Sequence, residues 1–179
     1  MTENKTEGDG KTVSCLSGQI EVCVPEELAP PSEEAAARKF PYDLPPQEIY
    51  MDDAGKRILT FNLLEKSLDK NQVYSAVREM QRMIGHIYPE SIHDHARGIH
   101  VRGRIVGWFS FVTGGVEEDS IHIMFVTPLQ NKMMLGSYHF PSQNEAEESE
   151  NFRKLIRSIS VKEETQEESE HRYAGRRIW

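Results

Sequence analysis

The chain has 179 residues and a formal net charge of −8, from 21 Lys and Arg against 29 Asp and Glu. This acidic balance argues against nonspecific nucleic-acid binding, which needs basic patches that displace the counterions of phosphates. No apolar run approaches the roughly 20 residues that span a bilayer, and no secretory leader is visible, so the sequence predicts a cytoplasmic protein.

One folded domain is predicted at residues 11–161, a common single-domain size. Residues 1–10 are polar and contain glycine, and residues 162–179 show no apolar periodicity before their last positions. The sequence therefore predicts a disordered N-terminal segment at 1–10 and a mobile charged tail at 162–179.

The first third of the chain is predicted to hold paired strands and a short helical turn. Proline and glycine end each strand, and Ser32 opens a helical turn that runs through Ala37. A rigid proline-containing loop follows at 39–46. The strands are predicted at 12–17, 19–24, 48–51 and 57–64.

Both cysteines, Cys15 and Cys23, lie on the first pair of predicted strands. Thiols in a cytoplasmic protein are more often reduced, buried side chains than disulfide partners. We therefore expect two free cysteines, with a disulfide across the hairpin as the alternative.

Two longer amphipathic helices are predicted. Residues 69–88 place apolar side chains at steps of four and three, with Asp69 as N-cap and Pro89 as the stop. Residues 145–160 have acidic first turns and basic later turns, which suits the helix dipole.

Three successive strands are predicted at 104–113, 120–127 and 132–140, with turns at 114–119 and 128–131. Connections this short make the strands antiparallel neighbours. In the first two strands both faces are apolar. In the first strand, one side would carry Ile105, Phe109 and Phe111 and the other Val106, Trp108 and Val112. In the second strand, Ile121, Ile123 and Phe125 would lie on one side and His122, Met124 and Val126 on the other.

Two weaker features belong to the same sheet. Residues 91–101 predict a further strand, although its charged and histidine side chains weaken the pattern. Gly136 predicts a bulge or a close approach of the backbone. A sheet that is apolar on both faces, together with two amphipathic helices, indicates the α+β class. The predicted architecture is an α/β/α sandwich whose central, mainly antiparallel sheet is covered by helices on both faces.

Candidate partner-binding residues come from two segments. A basic stretch at 93–104 suits an acidic partner, and a segment at 172–179 puts an aromatic residue after an acidic spacer, which suits a groove on a partner or on a second copy. The alternatives are a solvated strand face and a disordered, solubilising end. The candidates are His93, His95, Arg97, Arg102, Arg104, Arg176, Arg177, Ile178 and Trp179.

The signals for chemistry are weak. His93 and His95 would face the same way on a strand and are weak candidate metal ligands, but no CxxC or HExxH accompanies them. No GxSxG elbow is present, and the glycines at 114–115 lack the GxxxxGK phosphate-loop pattern. No catalytic residue, metal or cofactor is therefore predicted. The methionines at 80, 83, 124, 133 and 134 favour ordinary core positions over a soft binding surface.

Several segments together resemble a known superfamily. They are Val24-Pro25, the Lys-Phe-Pro loop with Pro-Pro and a strand (39–51), GKRILTFNLL (55–64), a long helix, and GWFSF, IHIMF and NKMMLGSYHFP before a final helix with LIRSI. The pattern, over about 12–160, resembles the PsbP-like superfamily, which includes a photosystem II subunit, a yeast Ran-binding protein and bacterial DcrB-type proteins. It is most similar to bacterial members with the Lys-Tyr/Phe-Pro loop.

The resemblance implies an α/β/α sandwich used as a binding or accessory module, with no shared catalytic residues. Exported members carry a leader or lipobox, and this sequence shows neither. We therefore expect a non-enzymatic binding or accessory (adaptor) module that acts through protein–protein contacts with an unidentified protein partner. Open alternatives are a toxin-neutralising immunity-type protein, a metal-binding protein that uses His93 and His95, a small enzyme with a deep pocket and, for the assembly, a homodimer.

Overall fold

The computed structural model describes residues 10–162, which form three α-helices and ten β-strands. The helices are α1 (Glu33–Lys39), α2 (Val73–Ile87) and α3 (Glu145–Ser158). The strands are β1 (Lys11–Cys15), β2 (Ile20–Val24), β3 (Glu48–Met51), β4 (Ile58–Ser67), β5 (Ile92–His93), β6 (Arg97–Val101), β7 (Arg104–Thr113), β8 (Ser120–Leu129), β9 (Lys132–Pro141) and β10 (Ser160–Val161). Across 10–162, no helix has the length and apolar character needed to cross a membrane.

Seven strands form one antiparallel sheet. Its order is β3-β4-β9-β8-β7, and β5 and β6 both pair with the outer side of β7. The strands β7, β8 and β9 are sequential hairpin neighbours, as the short turns predict. A second, smaller sheet has the order β1-β2-β10.

Both faces of the large sheet are covered, which confirms the predicted sandwich. On one face α2 buries Val73 and Val77 against a cluster that includes Phe109 and Val126. On the other face α3 and the small sheet pack over a larger apolar cluster. The predicted two sides of each strand are also confirmed, and the structure adds which sides share a face of the sheet. Ile105, Phe109, Phe111, Met124 and Val126 lie in or against the first cluster, and Val106, Trp108, Val112, Ile121, Ile123 and Phe125 lie in or against the second.

Two glycines fix how closely these layers approach. A Cβ on Gly107 would lie 2.7 Å from Val77 Cγ2 and 2.8 Å from Val73 Cγ1, so the missing side chain lets α2 sit directly on β7. A Cβ on Gly136 would lie 2.0 Å from Phe125 Cζ, because the ring lies across the neighbouring strand. Of the two roles predicted for Gly136, the structure therefore shows the close approach. It does not show the bulge, because the pairing of β9 with β8 continues through Gly136 without a break.

Other predicted elements differ in their bounds. Residues 91–101 form two short strands, β5 and β6, because Asp94 turns the chain and its carboxylate accepts from the His95 N–H and from Arg97. The turn predicted at 128–131 is shorter, since β8 continues through Leu129 and only Gln130 and Asn131 take positive φ.

The helix starts follow their capping residues. Ser32 Oγ accepts from the Ala35 N–H, 3.2 Å away, and α1 extends past the predicted end to Lys39. Asp69 caps a 3₁₀ turn (Lys70–Gln72) that leads into α2, and the Gln72 side chain accepts from the Asp69 N–H in return. This reciprocal arrangement is a capping box.

The two cysteines are free. In the β1–β2 pairing Cys15 lies opposite Ile20, and Cys23 lies opposite Thr12. Cys15 is buried, with its sulfur 3.3 Å from the Tyr50 hydroxyl, and burial raises the pKa of its thiol. These are the properties of a packed, unreactive cysteine.

The outer side of β4 is closed in an unusual way. The short strand β3 pairs only with the first part of β4, as far as Phe61. Beyond it, the Gln47 side chain accepts from the Leu63 N–H (2.8 Å) and donates to the Leu63 carbonyl (3.3 Å). One side-chain amide therefore takes the place of a strand at this position.

Candidate functional site

An apolar groove lies between α2 and the sheet, on the face that α2 covers only in part. Because α2 packs on β7 and β8, the floor toward β9 and β4 stays open. Leu64, Met124, Met133 and Leu135 line the floor, and the groove has a volume of about 180 Å³. The α2 wall consists of Ala76, Met80, Met83 and Ile84.

Methionine is the most frequent residue in this lining. Met80, Met83, Met124 and Met133 all contact the groove, and Met83 exposes 57% of its surface. Of the five methionines that the sequence assigned to the core, Met133 and Met134 are buried, Met133 beneath the groove and Met134 on the opposite face, whereas Met80 and Met124 are only partly buried. That interpretation was therefore wrong for Met83. Unbranched, polarisable thioethers adapt to differently shaped apolar partners, so this lining suits protein contact.

Charged residues at the rim are mostly balanced. Lys66 and Glu79 are the charged residues of the lining, and Lys66 Nζ lies 3.8 Å from a carboxylate oxygen of Glu79. Lys132 and Glu65, which adjoin the lining residues Met133 and Leu64 in the sequence, also form a pair, at 2.9 Å. All four side chains are substantially exposed, so these pairs add little stability. The mouth of the groove has no net charge, and its interior is apolar.

The apolar surface continues toward the end of α2. Ile87 and Tyr88 are 60% and 47% exposed, and they line a second hollow of about 270 Å³ with Thr113 and Gly114. Tyr88 stacks on Phe111, with 5.9 Å between ring centroids.

A row of aromatic rings crosses the same face of the sheet. His139, His122, Phe111 and His93 are successive cross-strand neighbours on β9, β8, β7 and β5. Their successive centroids are 5.2, 4.7 and 5.6 Å apart. Burial lowers the pKa of His122, and burial together with His122 and Lys39 lowers the pKa of His139 to about 4. Both imidazoles are therefore neutral at pH 7.

The structure separates the side chains of the predicted basic stretch. His93 points to the α2 face, stacks on Phe109 and Phe111, and bonds to the Ser91 hydroxyl through Nε2 at 2.7 Å. Arg97 lies opposite Trp108 on the other face and pairs with Asp94 at 2.7 Å. The stretch is therefore not one continuous basic surface.

Two cations of that stretch stay together. Arg102 and Arg104 flank Gly103 in the β6–β7 turn, where Arg102 takes a positive φ of 47°. Burial, with a further effect of Arg102, lowers the pKa of Arg104. Neither guanidinium forms an ion pair with another residue in the described range.

A metal site formed by His93 and His95 would require both side chains to lie on the same face of one strand, and the structure does not place them so. β5 ends at His93, so His95 does not follow it on the same strand face. Within residues 10–162 no group of three or more His, Cys, Asp or Glu side chains is arranged to hold a metal ion. The other candidates, Arg176, Arg177, Ile178 and Trp179, lie outside the described residues.

Sequence reasoning missed one polar cluster, which joins α3 to the sheet. Glu148 is 1% exposed and accepts from Arg57 Nη1 (2.9 Å), from the Tyr138 hydroxyl and from Asn151 Nδ2 (3.0 Å). Burial alone would lower the pKa of Arg57, but Glu148 and Asp52 reverse this effect and raise it. No local pattern signals the pair, because Arg57 and Glu148 are 91 positions apart.

Comparison with solved structures shows the fold. Cyanobacterial PsbP (CyanoP) from Synechocystis sp. PCC 6803 superimposes with a TM-score of 0.61 at 11% identity, over 90% of this chain and 98% of that chain. A mutant of protein Mog1 gives 0.57 at 13% identity, over 86% and 96%. A protein from Bacteroides thetaiotaomicron VPI-5482 gives 0.54 at 11% identity, over 87% of this chain and 50% of that chain. No protein-family model and no curated protein matches the sequence.

These likenesses confirm the PsbP-like fold that the sequence motifs indicated. At 11% to 13% identity they concern the fold alone. Any function must therefore be argued from the surface of this chain.

Proposed function

We propose that this chain is a non-enzymatic binding or accessory module that acts in the cytoplasm through protein–protein contacts, and that the groove beside α2 is its contact surface. The observation that carries the proposal is the methionine-lined groove with a balanced rim. Exposed apolar surface of this kind marks interaction sites in folded proteins.

The chemistry of the lining supports a binding role over catalysis. An active site needs several polar groups that converge in a pocket. Among the described residues the groove offers only Lys66 and Glu79 as charged groups, and these form a loose pair at the rim. The PsbP-like fold agrees with an accessory role, which is what the family resemblance implies.

The direct test compares two substitutions on the same helix. Met83 and Tyr74 are each 57% exposed, and 3.6 residues per turn place them about 180° apart around α2. Met83→Gln changes the polarity of the groove wall with little change in length or helix propensity. Tyr74→Gln makes a comparable change on the side of α2 away from the groove.

We expect affinity capture from the native cells, followed by mass spectrometry, to recover a stoichiometric partner with the wild-type protein and with Tyr74→Gln. Recovery should fall about tenfold with Met83→Gln, the loss expected for one buried contact at an interface centre. Equal recovery by both variants would reject the groove as the contact surface. The absence of any stoichiometric partner would reject the binding role.

The β6–β7 turn is a second proposed contact of the same module. Arg102 and Arg104 present two guanidinium groups without a described ion-pair partner, and an acidic surface on a partner would supply one. Replacing both by Gln should weaken capture more at low salt than at high salt, because salt screens exposed charges. An identical loss at both salt concentrations would exclude an electrostatic contact here.

A further inference from the structure

A segment of this chain itself matches the groove. Residues 176–179 read Arg-Arg-Ile-Trp, and they follow an acidic stretch that begins directly after β10. We propose that Ile178 and Trp179 of the same molecule bind in the groove beside α2, so that a partner must displace them. The inference does not depend on the partner, and it can fail while the proposed function stands.

The size of the groove suits an aromatic ring. A closed apolar cavity of about 150 Å³ accommodates a benzene molecule. The groove provides about 180 Å³ between methionine, leucine and isoleucine side chains. Methionine sulfur also makes favourable contacts with aromatic rings, so Trp179 is a better occupant than an aliphatic side chain of similar length.

The rim provides a place for the two arginines. The Glu79 carboxylate is 57% exposed and lies 3.8 Å from Lys66 Nζ, which is too far for a hydrogen bond. A guanidinium forms a stronger, bidentate contact with a carboxylate than a distant ammonium does. Arg176 or Arg177 could therefore pair with Glu79 while the residues that follow enter the groove.

The part of the chain that follows β10 is long enough for Ile178 and Trp179 to reach the groove. The Lys162 N–H donates to the Gln19 carbonyl at 3.0 Å, and in the same β1–β2 turn the Leu16 N–H donates to Glu48 at 2.9 Å. Glu48 lies opposite Phe61, which precedes the groove residue Leu64 on β4. At roughly 5 Å between strands and 3.3 Å per residue, this path measures about 30 Å.

Residues 163–179 can span at most about 55 Å, which exceeds that path. The end of β10 thus lies close enough to the β3–β4 side of the sheet for the chain to reach around it. Segments linked within one molecule meet at effective concentrations in the millimolar range, so a weak contact is enough to occupy the groove. A partner with micromolar affinity could still displace it.

Methionine methyl NMR tests the proposal directly on the full chain. The methyl groups of Met80, Met83 and Met124 line the groove, whereas Met134 is fully buried on the opposite face and serves as an internal control. We expect the groove methyl signals to shift when residues 172–179 are deleted, because the ring current of Trp179 is lost. The Met134 signal should stay in place.

Two substitutions make the test specific. Trp179→Ala should move the groove signals to the positions seen after deletion, whereas Tyr173→Ala, which alters another aromatic residue of the same segment, should not. Identical groove signals in the full and shortened chains would overturn the proposal. Shifts that grow with protein concentration would overturn it too, because they would mean that a second copy supplies the segment.

Discussion

The buried pair of Arg57 and Glu148 allows the sharpest test of how α3 is held. We consider Arg57→Met, Glu148→Met and the double variant, which replace the charges with unbranched apolar side chains. At 2.9 Å and an effective dielectric constant of about 20, the direct attraction amounts to about 6 kcal/mol. The cost of removing both charges from water offsets much of this attraction, so the pair adds little net stability over an apolar pair.

Each single variant should nevertheless be strongly destabilised, because it leaves one buried charge without its partner. We expect a loss of about 3–5 kcal/mol in the free energy of unfolding. Arg57→Met should cost more than Glu148→Met. Arg57 is 17% exposed and keeps Asp52 at 3.4 Å, whereas Glu148 is 1% exposed and has no other cation within salt-bridge distance in the described range.

Urea unfolding followed by circular dichroism measures these differences. With a slope of about 2 kcal/mol per M, a loss of 3–5 kcal/mol moves the midpoint by about 2 M. The double variant should be more stable than either single variant, since it leaves no isolated charge. A double variant whose loss equals the sum of the single losses would refute the reasoning, because the two groups would then act independently.

Two further predictions concern the sheet. The pKa of His139 is lowered from 6.5 to about 4, so folding favours the neutral imidazole, and stability that is present above pH 6.5 should fall by about 3 kcal/mol as the pH drops to 4. Urea midpoints at pH 7 and 4.5 measure this loss, and His139→Gln should reduce it; an unchanged loss would assign it to other groups. Gly136→Ala forces a methyl group into Phe125 and should lower the melting temperature by about 8 °C, whereas Gly98→Ala, where the nearest atom is 3.6 Å away, should change it little. Equal melting temperatures for the two glycine variants would show that Phe125 can move aside.

The sequence carries much of the information about the fold. Alternation along β7 and along β8 divides the side chains of each strand correctly between its two sides, and two apolar sides indicate that the sheet is covered on both faces. The apolar stripe of α2 likewise predicts the buried side of its first turns, whereas Ile87 at the end of the stripe is 60% exposed. The division of 91–101 into two strands was missed because it depends on Asp94, whose hydrogen bonds to the following residues turn the chain.

The candidate site was harder to predict. Which part of the sheet stays uncovered depends on where α2 lands, and this position is set by contact with Gly107, a residue of another element. Helical spacing alone cannot distinguish a methionine in the core from one that walls a groove, as Met83 shows. The residues of the basic stretch do not form a single surface, because His93 stacks on aromatic rings on one face of the sheet and Arg97 lies on the other face.

The amide of Gln47 has a consequence for how the protein behaves at high concentration. An open strand edge offers free N–H and carbonyl groups to other molecules, and edges of this kind seed fibrous aggregates. Here the Leu63 backbone groups are already bonded by one side chain, and the exposed Glu65 and Lys66 follow directly. The free run that remains on β4 is short, charged and irregular in its pairing with β9. This edge is a poor template for a strand of another molecule. Protein molecules at high concentration can therefore meet at this edge without forming an intermolecular sheet.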